Sequence, residues 1–156
     1  QSGIDFVCQY LAKSIARDGE GANCLLEVLV KGARHNDDAI MIAKSICNSA
    51  LVKTAIHGCD PNWGRIISAA GNSGVEFNLN EVDLYIGGYQ VMAKGISTQY
   101  DSQKVTDYMR SKMKGKYLVD DIVRIRINLN CGQAKGTAWG CDLSKKYIEI
   151  NSEYTT

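Results

Sequence analysis

A strictly alternating segment, residues 122–129, constrains the fold more than any other part of this sequence. Its apolar positions are Val123, Ile125, Ile127 and Leu129, and its intervening polar positions are Arg124, Arg126 and Asn128. Successive side chains of a β-strand point to opposite faces of the sheet, so this alternation predicts a strand with one buried face and one polar face. The chain is therefore expected to build a sheet that is covered by apolar side chains on at least one side.

The other patterns predict helices and strands that intermingle without regular alternation. Helices are predicted at residues 4–17, 36–50 with an apolar continuation over 51–56 that Gly58 ends, 66–71 and 101–114; strands are predicted at 24–30, 82–86, 89–93, 135–141 and 147–150. Asn36 is expected to cap the second helix, and Gly32 is expected to end the first strand. Gly87-Gly88 predicts a hairpin turn. This mixture indicates the α+β class, with helices packed on a mostly antiparallel sheet.

Composition limits the classes of partner. The chain has 156 residues, which we interpret as a single domain spanning 1–156. It carries 18 basic and 17 acidic residues, a net charge of +1, which gives no basic field for nucleic acid. No apolar run approaches the roughly 20 residues that a membrane helix needs. We therefore predict neither a nucleic-acid partner nor a membrane partner.

The six cysteines predict free thiols. They lie at positions 8, 24, 47, 59, 131 and 141, and no two of them have the close spacing of zinc ligands. An even count is also compatible with disulfides, but these cysteines lie within apolar or element-like stretches. We interpret them as buried, reduced thiols of a cytoplasmic protein and predict no metal site.

The segment Asp18-Gly19-Glu20-Gly21 is the first candidate for chemistry. It has two interpretations: it ends the first helix, or it exposes the Glu20 carboxylate between two glycines to hold an ammonium group. It is not a dinucleotide-binding loop, because position 24 is Cys and a helix precedes it.

Other residues could also bind a ligand or act in catalysis, but each has a simpler structural explanation or no local partner. Asn62 and Arg65 follow the only proline and could face a ligand carboxylate, but a turn that satisfies its own backbone explains them equally simply. His35 and His57 have no local partner that would make either a catalytic base. The polar ending at 150–156 is predicted to dock, so that its amide and hydroxyl groups line a site.

Three stretches together resemble the C-terminal part of the β chain of the ornithine acetyltransferase family, the bifunctional glutamate N-acetyltransferases of arginine biosynthesis. They are Arg17-Asp18-Gly19-Glu20-Gly21-Ala22, Leu51-Val52-Lys53-Thr54-Ala55-Ile56 with Asp60-Pro61-Asn62-Trp63-Gly64-Arg65-Ile66, and Cys141-Asp142-Leu143-Ser144 with Ile150-Asn151-Ser152-Glu153-Tyr154-Thr155-Thr156. Their order and spacing agree with the family from about Leu11 onward, and the ending is most similar to cyanobacterial members.

The resemblance implies a fold and an activity. The expected fold is part of a four-layer α/β/β/α sandwich that partner chains complete. In the family, a precursor cleaves itself into α and β chains, and the new N-terminal threonine of β takes the acetyl group from N-acetylornithine. Ornithine leaves and glutamate accepts the acetyl group; acetyl-CoA as an alternative donor is left open, and no other cofactor is expected. The cytoplasmic assembly is expected to be a heterotetramer, a dimer of α–β units.

The resemblance also assigns residues. Glu20 is expected to hold the cationic amino group of ornithine, while Asn151 and Thr156 are expected to fix the amino-acid end of the substrate. Asn23-Cys24 departs from the Thr-Lys that is common in the family, which bears on fine substrate preference. No catalytic residue is assigned to this chain, because the threonine and the oxyanion donors belong to the α chain and to an N-terminal part of the β chain.

The chain begins at Gln1 without an initiator methionine, so we expect that a preceding part was removed or is a separate chain. The alternative function is a binding or regulatory module that kept the fold and lost the nucleophile.

Overall fold

The computed structural model describes residues 2–153, and these form six helices, six strands and one 3-10 turn at Leu79–Glu81. The helices are α1 (Ser2–Arg17), α2 (Asn36–Asn48), α3 (Ala50–His57), α4 (Trp63–Gly71), α5 (Ser102–Lys112) and α6 (Lys145–Ser152). The strands are β1 (Leu25–Ala33), β2 (Asp83–Ile86), β3 (Tyr89–Ala93), β4 (Ile96–Ser97), β5 (Ile122–Asn128) and β6 (Ala134–Cys141).

All six strands belong to one sheet, in the order β4-β3-β2-β5-β1-β6. β1 and β5 run parallel, and the other neighbouring strands run antiparallel. The predicted α+β class is confirmed, with one parallel pair in a mostly antiparallel sheet. In the β1–β6 pair, Leu25 lies opposite Cys141. This register brings the loop that precedes β1 beside the residues that follow β6.

One face of the sheet holds the hydrophobic core. The alternation predicted for β5 is confirmed, since Val123, Ile125 and Ile127 are buried while Arg124 and Arg126 are exposed. The buried face of α2 packs on β1 and β6 and is made of the residues Ala39, Ile42, Ala43, Ile46 and Cys47. Small side chains and glycine allow this close approach: a Cβ at Gly136 would lie 2.6 Å from the backbone nitrogen of Ile40.

The opposite face is polar and carries α1. Glu27 lies opposite both Arg124 and Trp139 in the strand register, so these three share that face. Lys13 of α1 reaches Glu27 at 3.2 Å and lies over the Trp139 ring. The predicted helix at 4–17 is confirmed, but none of its residues is buried. Its apolar residues, Ile4, Phe6, Val7, Tyr10, Leu11 and Ile15, are exposed.

Three local predictions are wrong. Residues 147–150 lie in α6 and not in a strand, because the short segment Tyr147-Ile148-Glu149-Ile150 does not by itself distinguish helix from strand. His35, not Asn36, occupies the cap position of α2, and the Asn36 side chain accepts a hydrogen bond from the Lys135 backbone. β1 continues past Gly32, which adopts φ +70° at a bulge between Lys31 and Ala33.

The cysteines in the described range are all free. Cys24, Cys47 and Cys59 are buried as predicted, Cys131 and Cys141 are half-buried, and Cys8 on α1 is exposed, contrary to the prediction. Burial raises the pKa of Cys47 to about 12, so this thiol stays protonated at neutral pH.

Within residues 2–153, no single helix has the length and apolar composition needed to cross a membrane. α2 and α3 reach that length only together, across a bend of 60°. The four-layer sandwich remains a prediction.

Candidate functional site

The loop between α1 and β1 meets the segment that runs from the end of β6 into α6. We call residues 18–24 the Glu20 loop. The antiparallel pairing of β1 with β6 fixes the start of β1 beside the end of β6, and α6 follows directly. Residues that the sequence separates by more than a hundred positions therefore share one surface.

Glu20 and Asn151 are in direct contact on this surface. The Asn151 side-chain amide donates a hydrogen bond to Glu20 Oε2 at 2.6 Å, and also to the Tyr147 carbonyl at 2.8 Å. Both side chains are exposed to solvent. Among the described residues, Asn151 is the one hydrogen-bond partner of the Glu20 carboxylate.

Glycines let the Glu20 loop lie against its neighbours. A Cβ at Gly19 would meet Cys141 Sγ at 2.5 Å. Gly21 adopts φ +68°, and a Cβ there would lie 2.8 Å from Cβ of Lys146 at the start of α6. Ser144 Oγ donates a 2.7 Å hydrogen bond to the Gly21 carbonyl. The segment ends α1, as one interpretation predicted, and it also presents Glu20 beside α6.

An ion pair holds the loop from the α1 side. Arg17 Nε lies 2.6 Å from Oδ2 of Asp121, whose side chain is fully buried. The same guanidinium donates to the carbonyls of Ala22 and Asn23 at 3.0 and 2.9 Å. Arg17 thus neutralises a buried carboxylate and fixes two peptide groups of the Glu20 loop.

A second buried carboxylate, that of Asp142, holds the loop from the β6 side. Its Oδ1 accepts hydrogen bonds from the backbone nitrogens of Asn23 at 2.7 Å and Cys24 at 3.0 Å. Its Oδ2 accepts from the Asn23 side chain at 2.9 Å and contacts His57 Nδ1 at 3.0 Å. Burial alone would raise the pKa of Asp142, but these donors outweigh it and hold the pKa below its usual range.

The remaining predicted residues lie elsewhere or outside the described range. Asn62 caps α4 by accepting from the Arg65 backbone at 3.2 Å, and Arg65 donates to the Leu51 carbonyl, which supports the structural interpretation of that segment. His35 is exposed at the start of α2. Thr156, the third predicted substrate-binding residue, lies outside the described residues.

Other features of the described residues do not form a competing site. A depression of about 490 Å³ lies between Lys31, Asn128 and Lys135, at the end of β1 that is remote from the Glu20 loop. Residues 2–153 contain no group of three or more His, Cys, Asp or Glu side chains that could hold a metal ion.

Sequence reasoning missed Arg17, Asp121 and Asp142, which shape this surface. Asp121 and Asp142 are buried acids at strand ends, 0% and 2% exposed respectively. An acid next to an apolar strand is a weak signal, because most such residues are solvated. His57 had no partner nearby in the sequence, because the residue it contacts, Asp142, is 85 positions away in the chain.

Comparison with known proteins identifies the family. The ArgJ family model matches residues 1–156. An "Arginine biosynthesis bifunctional protein ArgJ" from Prochlorococcus marinus subsp. pastoris is 74% identical over the whole chain, and one from Dehalococcoides mccartyi is 50% identical. The chain spans 39% and 36% of the lengths of these two relatives.

A solved structure also matches. The crystal structure of arginine biosynthesis bifunctional protein ArgJ from Bacillus halodurans superposes with a TM-score of 0.90 at 43% sequence identity, covering 98% of this chain and 68% of the other. This similarity confirms the α+β fold. With a family match over its full length, the chain belongs to the ArgJ family.

Proposed function

We propose that this chain is part of an acetyltransferase that moves an acetyl group from N-acetylornithine to glutamate through an acyl-threonine intermediate. The observation that carries the proposal is the 2.6 Å hydrogen bond between Glu20 and Asn151, in a chain of the ArgJ family. Two residues that were assigned to one substrate meet on one surface. Their contact supports a shared binding role for the loop and the chain's end.

The proposed chemistry divides between chains. A threonine hydroxyl, supplied by a partner segment, attacks the acetyl carbonyl; the C–N bond breaks, and the leaving amine of ornithine takes the proton that the hydroxyl gives up. The α-amine of glutamate then attacks the threonyl ester and regenerates the hydroxyl. This chain's contribution is orientation: Glu20 binds the free ammonium group of ornithine by a charge-assisted hydrogen bond, and Asn151 with Thr156 fixes the amino-acid end.

The proposed assembly follows from the same assignment. The partners are an α chain and the N-terminal part of the β chain that carries the threonine, both produced by autocatalytic cleavage. The proposal includes a dimer of α–β units in the cytoplasm, with acetyl-CoA as a second acetyl donor to be tested. The names of the relatives, which refer to arginine biosynthesis and to two functions, support the assignment to this pathway.

The first test is acetyl transfer from N-acetylornithine to glutamate by the purified assembly. Glu20→Ala is expected to lower kcat/KM at least about tenfold, because the substrate loses its oriented contact. Glu76→Ala, which removes an exposed acid in another loop, is the matched control and is expected to keep wild-type activity. Unchanged activity in Glu20→Ala would reject the assignment of Glu20.

The second test identifies every chain in the preparation by intact mass and N-terminal sequencing. A partner chain that begins with threonine supports the enzyme. Its absence, together with no acetyl transfer, would favour the alternative, a binding or regulatory module without a nucleophile.

A further inference from the structure

The Glu20 loop has few means of holding its own shape. It lacks helix and strand pairing over most of its length, and two of its residues are glycines. Its geometry depends on contacts from other elements: Arg17 at the end of α1, and Asp142 and Ser144 between β6 and α6. The last two residues also lead directly into the helix that carries Asn151.

Asp142 makes more hydrogen bonds to the Glu20 loop than Arg17 or Ser144 does. Its side chain is fully buried, and its two oxygens receive four hydrogen-bonding groups, three of them from Asn23 and Cys24. Backbone donors leave the peptide groups little freedom to rotate, so the carboxylate fixes the end of the Glu20 loop relative to β6. The fourth partner, His57, orients the carboxylate from α3.

We propose that Asp142 is the positioning residue for Glu20. It fixes the exit of the Glu20 loop while Ser144, two residues later, holds Gly21, so that Glu20 is adjacent to Asn151. The inference rests on the proposed function, because it assigns Asp142 an effect on how Glu20 binds the ornithine ammonium group. Asp142 itself does not touch the substrate in this proposal.

The test uses the purified assembly and the variant Asp142→Asn. Asparagine keeps one oxygen for the two backbone donors but presents an amide group where Oδ2 receives Asn23 and His57. We expect the KM for N-acetylornithine to rise about tenfold while kcat changes less than about threefold, since binding geometry is lost and the threonine chemistry is not. A fall in kcat at unchanged KM would overturn the proposal.

A double-mutant cycle separates positioning from a general structural role. If Asp142 acts through Glu20, Glu20→Gln combined with Asp142→Asn is expected to raise KM no more than Glu20→Gln alone. If the fold-increases in KM of the two single variants multiply in the double variant, Asp142 acts independently of Glu20 and the proposal is overturned. If Glu20→Gln alone leaves KM unchanged while wild-type transfer is normal, the substrate role of Glu20 fails, which is a different result.

Two further variants keep the test decisive. Asp101→Asn makes the same chemical change at the N-cap of α5, which has no part in the Glu20 loop, and is expected to leave KM unchanged. Should Asp142→Asn fail to fold, Ser144→Ala removes a single hydrogen bond to the loop. Its KM is expected to rise about threefold with the same non-additivity toward Glu20→Gln, and an unchanged KM would contradict the inference.

Discussion

α1 and α2 are both amphipathic in sequence, yet they attach to the sheet by different forces. α2 buries five apolar residues against one face of β1 and β6. α1 buries none, and reaches the other face through Lys13 and Arg17. The comparison teaches that an apolar stripe predicts a helix and does not reveal which surface of that helix the rest of the chain covers.

The largest expected effect tests the apolar attachment. Ile46 is fully buried in α2, so Ile46→Ala is expected to lower the free energy of unfolding by about 2–4 kcal/mol through lost burial and the cavity it leaves. Urea unfolding of the 156-residue chain measures it. Met41→Ala, in the same helix but 48% exposed, is the control and should cost less than about 1 kcal/mol. Equal losses in both variants would refute the comparison.

A smaller effect tests the polar attachment. Glu27 accepts hydrogen bonds from Trp139 and Arg124, both at 3.0 Å, and pairs with Lys13. Glu27→Gln is expected to cost about 1 kcal/mol at pH 7, since the charge is lost while the shape of the side chain is kept. Glu76→Gln, an isolated exposed acid, is the control and should cost nothing measurable.

The same variant predicts a pH dependence. Burial alone would raise the pKa of Glu27, but the Trp139 hydrogen bond and the Lys13 charge outweigh it and hold that pKa below its usual range. A depressed folded-state pKa gives stability that is present above the unfolded value, about 4.3, and is lost as the pH falls through the folded value. The stability difference between wild type and Glu27→Gln should therefore shrink in urea titrations below about pH 4. A constant difference would exclude the charge as its source.

The smallest expected effect on stability concerns the exposed apolar residues of α1. Ile15 is 78% exposed, and serine has a helix propensity close to that of isoleucine. Ile15→Ser is therefore expected to change the free energy of unfolding by less than about 0.5 kcal/mol in the same urea measurement. A loss as large as that of Ile46→Ala would mean that the stripe is buried in the folded chain.

Much of the fold could be predicted because its elements carry periodic patterns. The alternation at β5, the hairpin at Gly87-Gly88 and the stripe of α2 each follow from local geometry. The strand predicted at 147–150 is a helix instead, because a segment of four residues is too short to distinguish the helical period from the strand period. The parallel pairing of β1 with β5 was not predicted, since it depends on a crossover that no local pattern encodes.

Some residues of the candidate site were predicted from the sequence, and others were not. Glu20 was a candidate from its place between two glycines, and the resemblance added Asn151; their contact required only that the loop before β1 meet α6. Asp142 and Arg17 were not predicted, because a buried acid or an arginine at the end of a helix has no signature until its partner is known. Local sequence patterns do not predict an interaction between two residues that lie a hundred positions apart.

The β1–β5 pairing also has a consequence for how the chain folds. β1 lies between β5 and β6, which follow it in the chain by about a hundred residues, and Glu20 meets Asn151 across 131 positions. Closing such long loops is entropically costly and slows folding. During synthesis on the ribosome, β1 has neither neighbour until β5 and β6 have emerged, so the Glu20 surface can form only after α6 has followed them.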